Sequence, residues 1–234
     1  MGLLEIGGVM MSASQQRLDV AAQNISNTTT PGYKKHASFQ ERLRDVDFLD
    51  AAQRAGRTQT DFSQGSLRLT GSPLDLAISG GGLFRVRGEN SIYLSRNGQF
   101  SLAEDGRVVN AQGFSLQTAD GEDLILKDLN VEILPDGTVL EDDVPIARIG
   151  LVQASEPDAL TAITGTLFSA DGPALEETGD PIIRQGMLES ANIEMADEMV
   201  GMMSALRQAE IGARVVQSYD TLIGQAISTF GRAR

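Results

Sequence analysis

The chain has no cysteine and no tryptophan in 234 residues, one histidine, and aromatic side chains at only 5%. Without cysteine there is no disulfide, no thiolate metal site and no thiol nucleophile, a usage that fits an exported bacterial protein. With His36 alone there is no second imidazole to share a metal and no base for a serine nucleophile. Following Lys34 and Lys35, His36 reads as a solvated surface residue. Positive charge is also short: 19 Lys plus Arg against 32 Asp plus Glu give a formal net charge of -13, which repels nucleic acid. No apolar run approaches the roughly 20 residues of a membrane-spanning helix. The start carries Glu5, lacks a basic stretch and runs straight into a helical pattern, so no cleaved signal peptide is expected. What is present is 41% hydrophobic residues, enough for a folded core.

The periodicity of those residues changes along the chain. At the C-terminal end, steps of four and three place Met195, Met199, Met202, Leu206, Ala209, Ala213, Val216, Ile223, Ile227 and Phe230 on one stripe, interrupted only by Asp220. That is the heptad signature of a long helix. Asn192 is placed to cap it, with Glu194, Asp197 and Glu198 at the positive end of its dipole, so the helix is expected to start near Ile193. Gly201, Gly212 and Gly224 fall off the stripe and each costs roughly 1 kcal/mol relative to alanine, which leaves the helix marginal alone. At the N-terminus Leu4, Met11, Leu18 and Ile25 repeat every seven residues, with Gly7, Ser14 and Ala21 three positions after the first three. This helix must end before Thr30-Pro31-Gly32, because the residue ahead of a proline is pushed out of the helical region.

Between the helices lie turn dipeptides, Asn97-Gly98, Asp105-Gly106, Asp120-Gly121, Asp136-Gly137 and Asp171-Gly172, which favour tight hairpins. Around them Phe100 and Leu102, Val108, Phe114 and Leu116, Leu124 and Leu126, Val131 and Ile133 fall near period two, as in strands with one buried face. Gly80-Gly81-Gly82 lacks the Lys-Ser/Thr and the helix of a phosphate loop and reads as a bend. Glu141, Asp142 and Asp143 lack the alternation of a calcium loop and read as a solvated loop. The methionines of the C-terminal stripe read as packing residues before soft ligands. The whole predicts an α+β protein: an N-terminal helical segment (1–33) paired as a coiled coil with a long C-terminal helix (187–234), an extended linker (34–73) and a central antiparallel all-β domain (74–186).

Ala22 to Lys34, AQNISNTTTPGYK, resembles the amino-terminal signature of flagellar basal-body rod and hook proteins, through Asn24, Asn27, Thr30, Pro31, Gly32 and Tyr33. Phe62 to Thr70 (FSQGSLRLT), Leu74 to Phe84 (LDLAISGGGLF), Ser95 to Phe100 (SRNGQF) and Leu188 to Ile193 (LESANI) extend the resemblance, in order, over nearly the whole chain. Gln23, Thr29 and Ala191 stand where asparagine is usual. Length and the stretch Thr70 to Leu76 look most like the proximal-rod members of the family, then the distal-rod members; a hook protein normally carries a larger β insert. The resemblance implies a structural, non-catalytic subunit of the rod, without cofactor, metal or small-molecule substrate. Its implied assembly interface is Leu4, Met11, Leu18 and Ile25 together with the C-terminal stripe, in a helical tube whose β domains face outward. Implied partners are the chain itself, other axial rod and hook proteins and the flagellar type III export apparatus, and the implied place is the periplasmic rod of the basal body, serving motility. Glycine-bearing helices are individually weak, so folding of the ends is expected to couple to assembly. A secreted β-domain binding module is the alternative from another class; it needs an aromatic-lined pocket that 5% aromatics supply poorly.

Overall fold

The computed structural model describes residues 3–38, 58–89, 91–155, 160–169, 175–177 and 182–231. Residues 39–57 of the expected linker and the Asp171-Gly172 turn lie outside these residues. The chain divides into a helical unit (Met1–Ser26, His36–Gln59, Glu194–Arg234) and a β unit (Asn27–Lys35, Thr60–Ile193).

Helix α1 (Leu3–Ser26) stops ahead of Thr30-Pro31, as the proline requires. Helix α2 (Met195–Gly231) begins two residues after the expected Ile193. The reason is that Asn192 does not cap it. Its side-chain carbonyl accepts the Lys35 N–H at 2.7 Å, and its amide donates to Asp61 O at 2.8 Å and Ser63 O at 3.1 Å. The first turn of α2 instead opens from the Glu194 carbonyl, which accepts the Glu198 N–H.

The strands in chain order are β1 (His36–Ser38), β2 (Thr58–Thr60), β3 (Leu67–Leu69), β4 (Leu76–Ser79), β5 (Leu83–Arg87), β6 (Ile92–Ser95), β7 (Phe100–Leu102), β8 (Val108–Asn110) and β9 (Ser115–Leu116). They continue with β10 (Val131–Ile133), β11 (Thr138–Glu141), β12 (Val144–Arg148), β13 (Leu151–Ala154), β14 (Ala162–Thr164), β15 (Leu167–Ser169), β16 (Leu175–Glu177), β17 (Ile182–Gln185) and β18 (Met187–Glu189). The main sheet runs β14-β15-β6-β5-β9-β8-β7, with β13 joining β5 to β16; β10-β11-β12 form a meander, and β1–β2, β17–β4 and β18–β3 pair separately. The described ladders of the β unit are antiparallel, for example Phe84 opposite Ser95 and Ile183 opposite Ile78.

Strand alternation builds two cores. On β5, Phe84 and Val86 join Leu76, Ile78, Phe100, Val108, Leu116, Val139 and Ile149 in one cluster, while Leu83 faces the other way into a second with Leu94, Val152, Ala154 and Phe168. Leu124 and Leu126 are buried at period two, but their segment makes isolated bridges instead of a ladder. Gly106, Gly121 and Gly137 adopt positive φ in turns, as the dipeptides predict. Asn97-Gly98 makes no hairpin: Gly98 lies against the Leu76 backbone, where an added Cβ would sit 1.7 Å from the carbonyl oxygen. The Asp142-Asp143 pair (φ 51° and 63°) is a two-residue turn between β11 and β12 with both φ positive, the geometry that matches strand twist. Glu141 is not solvated but buried, its carboxylate accepting the Lys127 N–H at 2.8 Å.

Candidate functional site

In the helical unit α1 and α2 run antiparallel, with Gly7 beside Gly212 and Val216, Arg17 donating to Gln208 Oε1 at 3.0 Å, and Asn24 donating to Glu198 Oε2 at 3.1 Å. The enclosed positions are Gly7, Ser14, Ala21 and Asn24 on α1 and Glu198, Ala205 and Gly212 on α2. All but Asn24 repeat every seven residues, yet they are not the stripes of large residues. A Cβ on Gly7 would meet Val216 Cγ2 at 2.8 Å, and one on Gly212 would meet Met11 Cγ at 3.1 Å and Gly7 O at 3.2 Å. Close backbone approach therefore selects small residues for the contact, and Gly212 belongs to it.

The large residues turn outward. Met11, Met195, Met199, Leu206 (48% exposed), Ile223 and Ile227 (67%) are exposed; Leu18, Ile25, Met202, Ala209, Ala213 and Val216 are half-buried. The side chains of Leu4 and Phe230 lie outside the described residues. Val200, Met203, Ile211 and Leu222, which heptad counting did not single out, are exposed as well.

His36 is buried, 8% exposed, not a surface histidine. Its backbone is held by Asn24, whose Oδ1 accepts the His36 N–H at 3.0 Å and whose Nδ2 donates to His36 O at 2.8 Å. Burial pushes its imidazole below the ordinary pKa.

In the β unit the stretches that carry the family resemblance converge on one carboxylate. Glu189 Oε1 accepts from Lys34 Nζ at 2.7 Å and from the Gly65 N–H at 2.8 Å, while Oε2 accepts from Arg96 Nε at 2.5 Å. The Glu189 carbonyl accepts the Gly32 N–H at 2.7 Å. Arg96 also donates to the carbonyls of Ile78, Gly80 and Gly82, so the triple glycine is a bend whose oxygens embrace a guanidinium. Gly32 is required twice over: its φ is +67°, and a Cβ would fall 2.4 Å from the Arg96 backbone. Tyr33 beside it is fully buried. Burial lowers the Lys34 pKa, and the hydrogen bond to Glu189 opposes that shift. Removing one partner from such a buried set leaves an uncompensated charge, which makes the arrangement all-or-none. Periodicity missed these three residues; the available signal was a charged residue inside each of three motif-like stretches.

This arrangement positions backbone. Among the described residues no group of three or more His, Cys, Asp or Glu is placed to hold a metal ion, and no helix is long and apolar enough to cross a membrane.

Three family models match successive stretches: "Flagella basal body rod protein" over residues 5–34, "Flagellar hook protein FlgE/F/G D1 domain" over 77–154, and "Flagellar basal body rod FlgEFG protein C-terminal" over 184–229. The flagellar basal-body rod protein FlgG of Borreliella burgdorferi is 27% identical, with 92% of this chain and 94% of the relative covered. The rod protein FlgF of Rhizobium meliloti is 27% identical with 95% of each covered, and that of Caulobacter vibrioides 26% with 98% of each. Motifs, matched ends and near full-length similarity agree: the chain belongs to the flagellar basal-body rod protein family.

Proposed function

We propose that this chain is a structural subunit of the flagellar basal-body rod, polymerising through its terminal helices into the axial shaft that serves motility, and that it catalyses nothing. The observation that carries this reading is the apolar surface left open on the helical unit. Met199, Met203, Leu206, Ile211, Leu222 and Ile227 are exposed on α2, and this many large apolar side chains open on one helix favour its being covered by protein partners. Since α1 and α2 already pack through small residues, the stripes named from the sequence serve contacts between subunits. Neighbouring helices complete a coiled-coil layer of the kind a seven-residue repeat specifies, and a rotation that does not close makes that layer a helical tube.

The partners are further copies of this chain and other axial rod or hook proteins, after export through the flagellar export apparatus to the periplasmic rod. In functional terms residues 1–33 and 187–234 are the assembling ends, 34–73 the connection, and 74–186 the outward domain. Relatives named FlgF and FlgG match at equal identity, so position along the rod is set by experiment. Electron microscopy of basal bodies from a clean deletion strain tests the proposal: loss of rod, hook and filament, restored by complementation, is expected. Intact basal bodies would sink it.

A further inference from the structure

The hub around Glu189 leaves hydrogen-bonding capacity unused. A lysine ammonium carries three N–H donors and an arginine guanidinium five. Lys34 Nζ uses two of its three, on Ser63 O and Glu189 Oε1, both at 2.7 Å. Arg96 uses four of its five: Nε on Glu189, Nη2 on Ile78 O and Gly80 O, and Nη1 on Gly82 O. One N–H on each cation is left over, although Lys34 is 1% exposed and Arg96 4%. Buried donors of charged groups rarely go unmatched.

Both side chains line the same cavity, of about 160 Å³. Its other walls are Phe62, Leu83, Ala154 and Leu160, with Gly81, Gly82 and Gln153 completing the lining. Gly81 and Gln153 are exposed, so the space communicates with solvent. Two cations share one carboxylate here, and the next acid, Asp61, is engaged by the Ser63 N–H at 2.9 Å. The cavity thus pairs a cationic, donor-bearing floor with an apolar wall, in a space of roughly five waters.

We propose that this cavity binds a small carboxylate on a short aliphatic stem, its oxygens taking the remaining N–H groups of Lys34 and Arg96 and its stem lying against Phe62, Leu83, Ala154 and Leu160. A free short-chain carboxylate and an Asp or Glu side chain of a neighbouring subunit share this chemistry. The anion also answers the burial of Lys34, whose ammonium is otherwise disfavoured there.

Thermal unfolding of the full chain in butyrate, against chloride at matched ionic strength, is the first test. The expected result is a midpoint that rises with butyrate and then levels off, as binding to the native state requires. Ala154→Leu fills the cavity without touching any hub hydrogen bond and abolishes the rise; Leu160→Phe does the same from another wall, should the first variant fold poorly. A crystal structure with butyrate soaked in and a cryo-EM map of the assembled rod separate the sources. Discrete butyrate density assigns a free ligand, and density continuous with a neighbour's Asp or Glu assigns a subunit contact; either supports the site. Water alone in both maps, or a butyrate response in Ala154→Leu and Leu160→Phe equal to that of the parent chain, overturns it.

Discussion

In the β unit, Phe84, Leu94, Leu116 and Phe168 are fully enclosed, and Lys34, Arg96 and Glu189 are buried against one another. On the two helices of the helical unit the enclosed positions are Gly7, Ser14, Ala21, Ala205 and Gly212 together with the hydrogen-bonded pair Asn24 and Glu198, while several methionine, leucine and isoleucine side chains are exposed. One region completes its core within the chain; the other holds its helices together largely through small residues and leaves large apolar side chains exposed, which on the proposed reading a neighbouring subunit covers. Small residues let helix backbones approach closely but bury little apolar area, so under the proposed assembly the exposed side chains would add hydrophobic free energy, about 25 cal/mol per Å² buried, only between subunits. The contrast teaches that a heptad pattern of large residues need not mark the contact between two helices of one chain, which here runs through small residues.

The sharpest way to break this comparison is to charge the outward stripe. Leu206→Asp is expected to abolish incorporation into basal bodies while changing the stability of the isolated chain by less than about 0.5 kcal/mol, because the site is exposed before assembly. Val216→Asp differs, since Val216 packs on Gly7, and it should weaken the helix pair itself. Normal incorporation of Leu206→Asp, scored by microscopy, would remove the distinction between inner seam and outer stripe.

The β unit should break from inside. Glu189→Gln leaves Lys34 and Arg96 buried without their counter-charge and is expected to cost about 3–5 kcal/mol in urea denaturation. Exposed Glu176→Gln, on β16, provides the reference at less than about 0.5 kcal/mol. A small effect at Glu189 would mean that the hub is looser than its distances.

Glycine substitutions sharpen the comparison within α2 alone. Gly212→Leu forces a side chain against Met11 and the Gly7 carbonyl and should cost roughly 1–3 kcal/mol of helix-pair stability. Gly201 has nothing within 4 Å of an added Cβ, so Gly201→Ala should gain up to about 1 kcal/mol from helix propensity. Residue-resolved hydrogen exchange reads both; equal effects from the two glycines would refute the seam.

Much of this organisation was legible in the chain. Proline and glycine at 31 and 32 ended α1 where the backbone demands it, and Asp-Gly dipeptides marked turns because only glycine adopts positive φ cheaply there. What was not legible is partner choice. Heptad spacing identifies a stripe but not whether its partner lies in the same chain, and large residues drew attention away from Gly7 and Gly212. Asn192 had the right type and place for a cap, yet its side chain serves Lys35, Asp61 and Ser63, contacts that only the folded chain brings together. Lys34, Arg96 and Glu189 are likewise far apart in sequence, and no period connects them.

The smallest expected effect separates the two regions by acid. His36 is held below its ordinary pKa of 6.5 by burial, so on acidification the unfolded chain takes up a proton before the folded one does. The helical unit therefore loses stability as pH falls through 6.5 toward the depressed folded value. The groups of the β unit shift in the same direction but titrate in a lower window. The Arg107 hydrogen bond holds Asp105 below 3.8, the Thr138 N–H holds Asp136 below 3.8, and the Lys127 N–H holds Glu141 below 4.5. Their contribution is fully present above those values and is lost only as pH falls below about 4, the ordinary carboxylate range. Hydrogen exchange corrected for intrinsic rates, compared between pH 7.5 and 5, should thus show helix amides weakening while those of the β sheet hold, and His36→Gln should flatten the helix response. Parallel weakening of both regions over that interval would mean that they unfold as one cooperative unit.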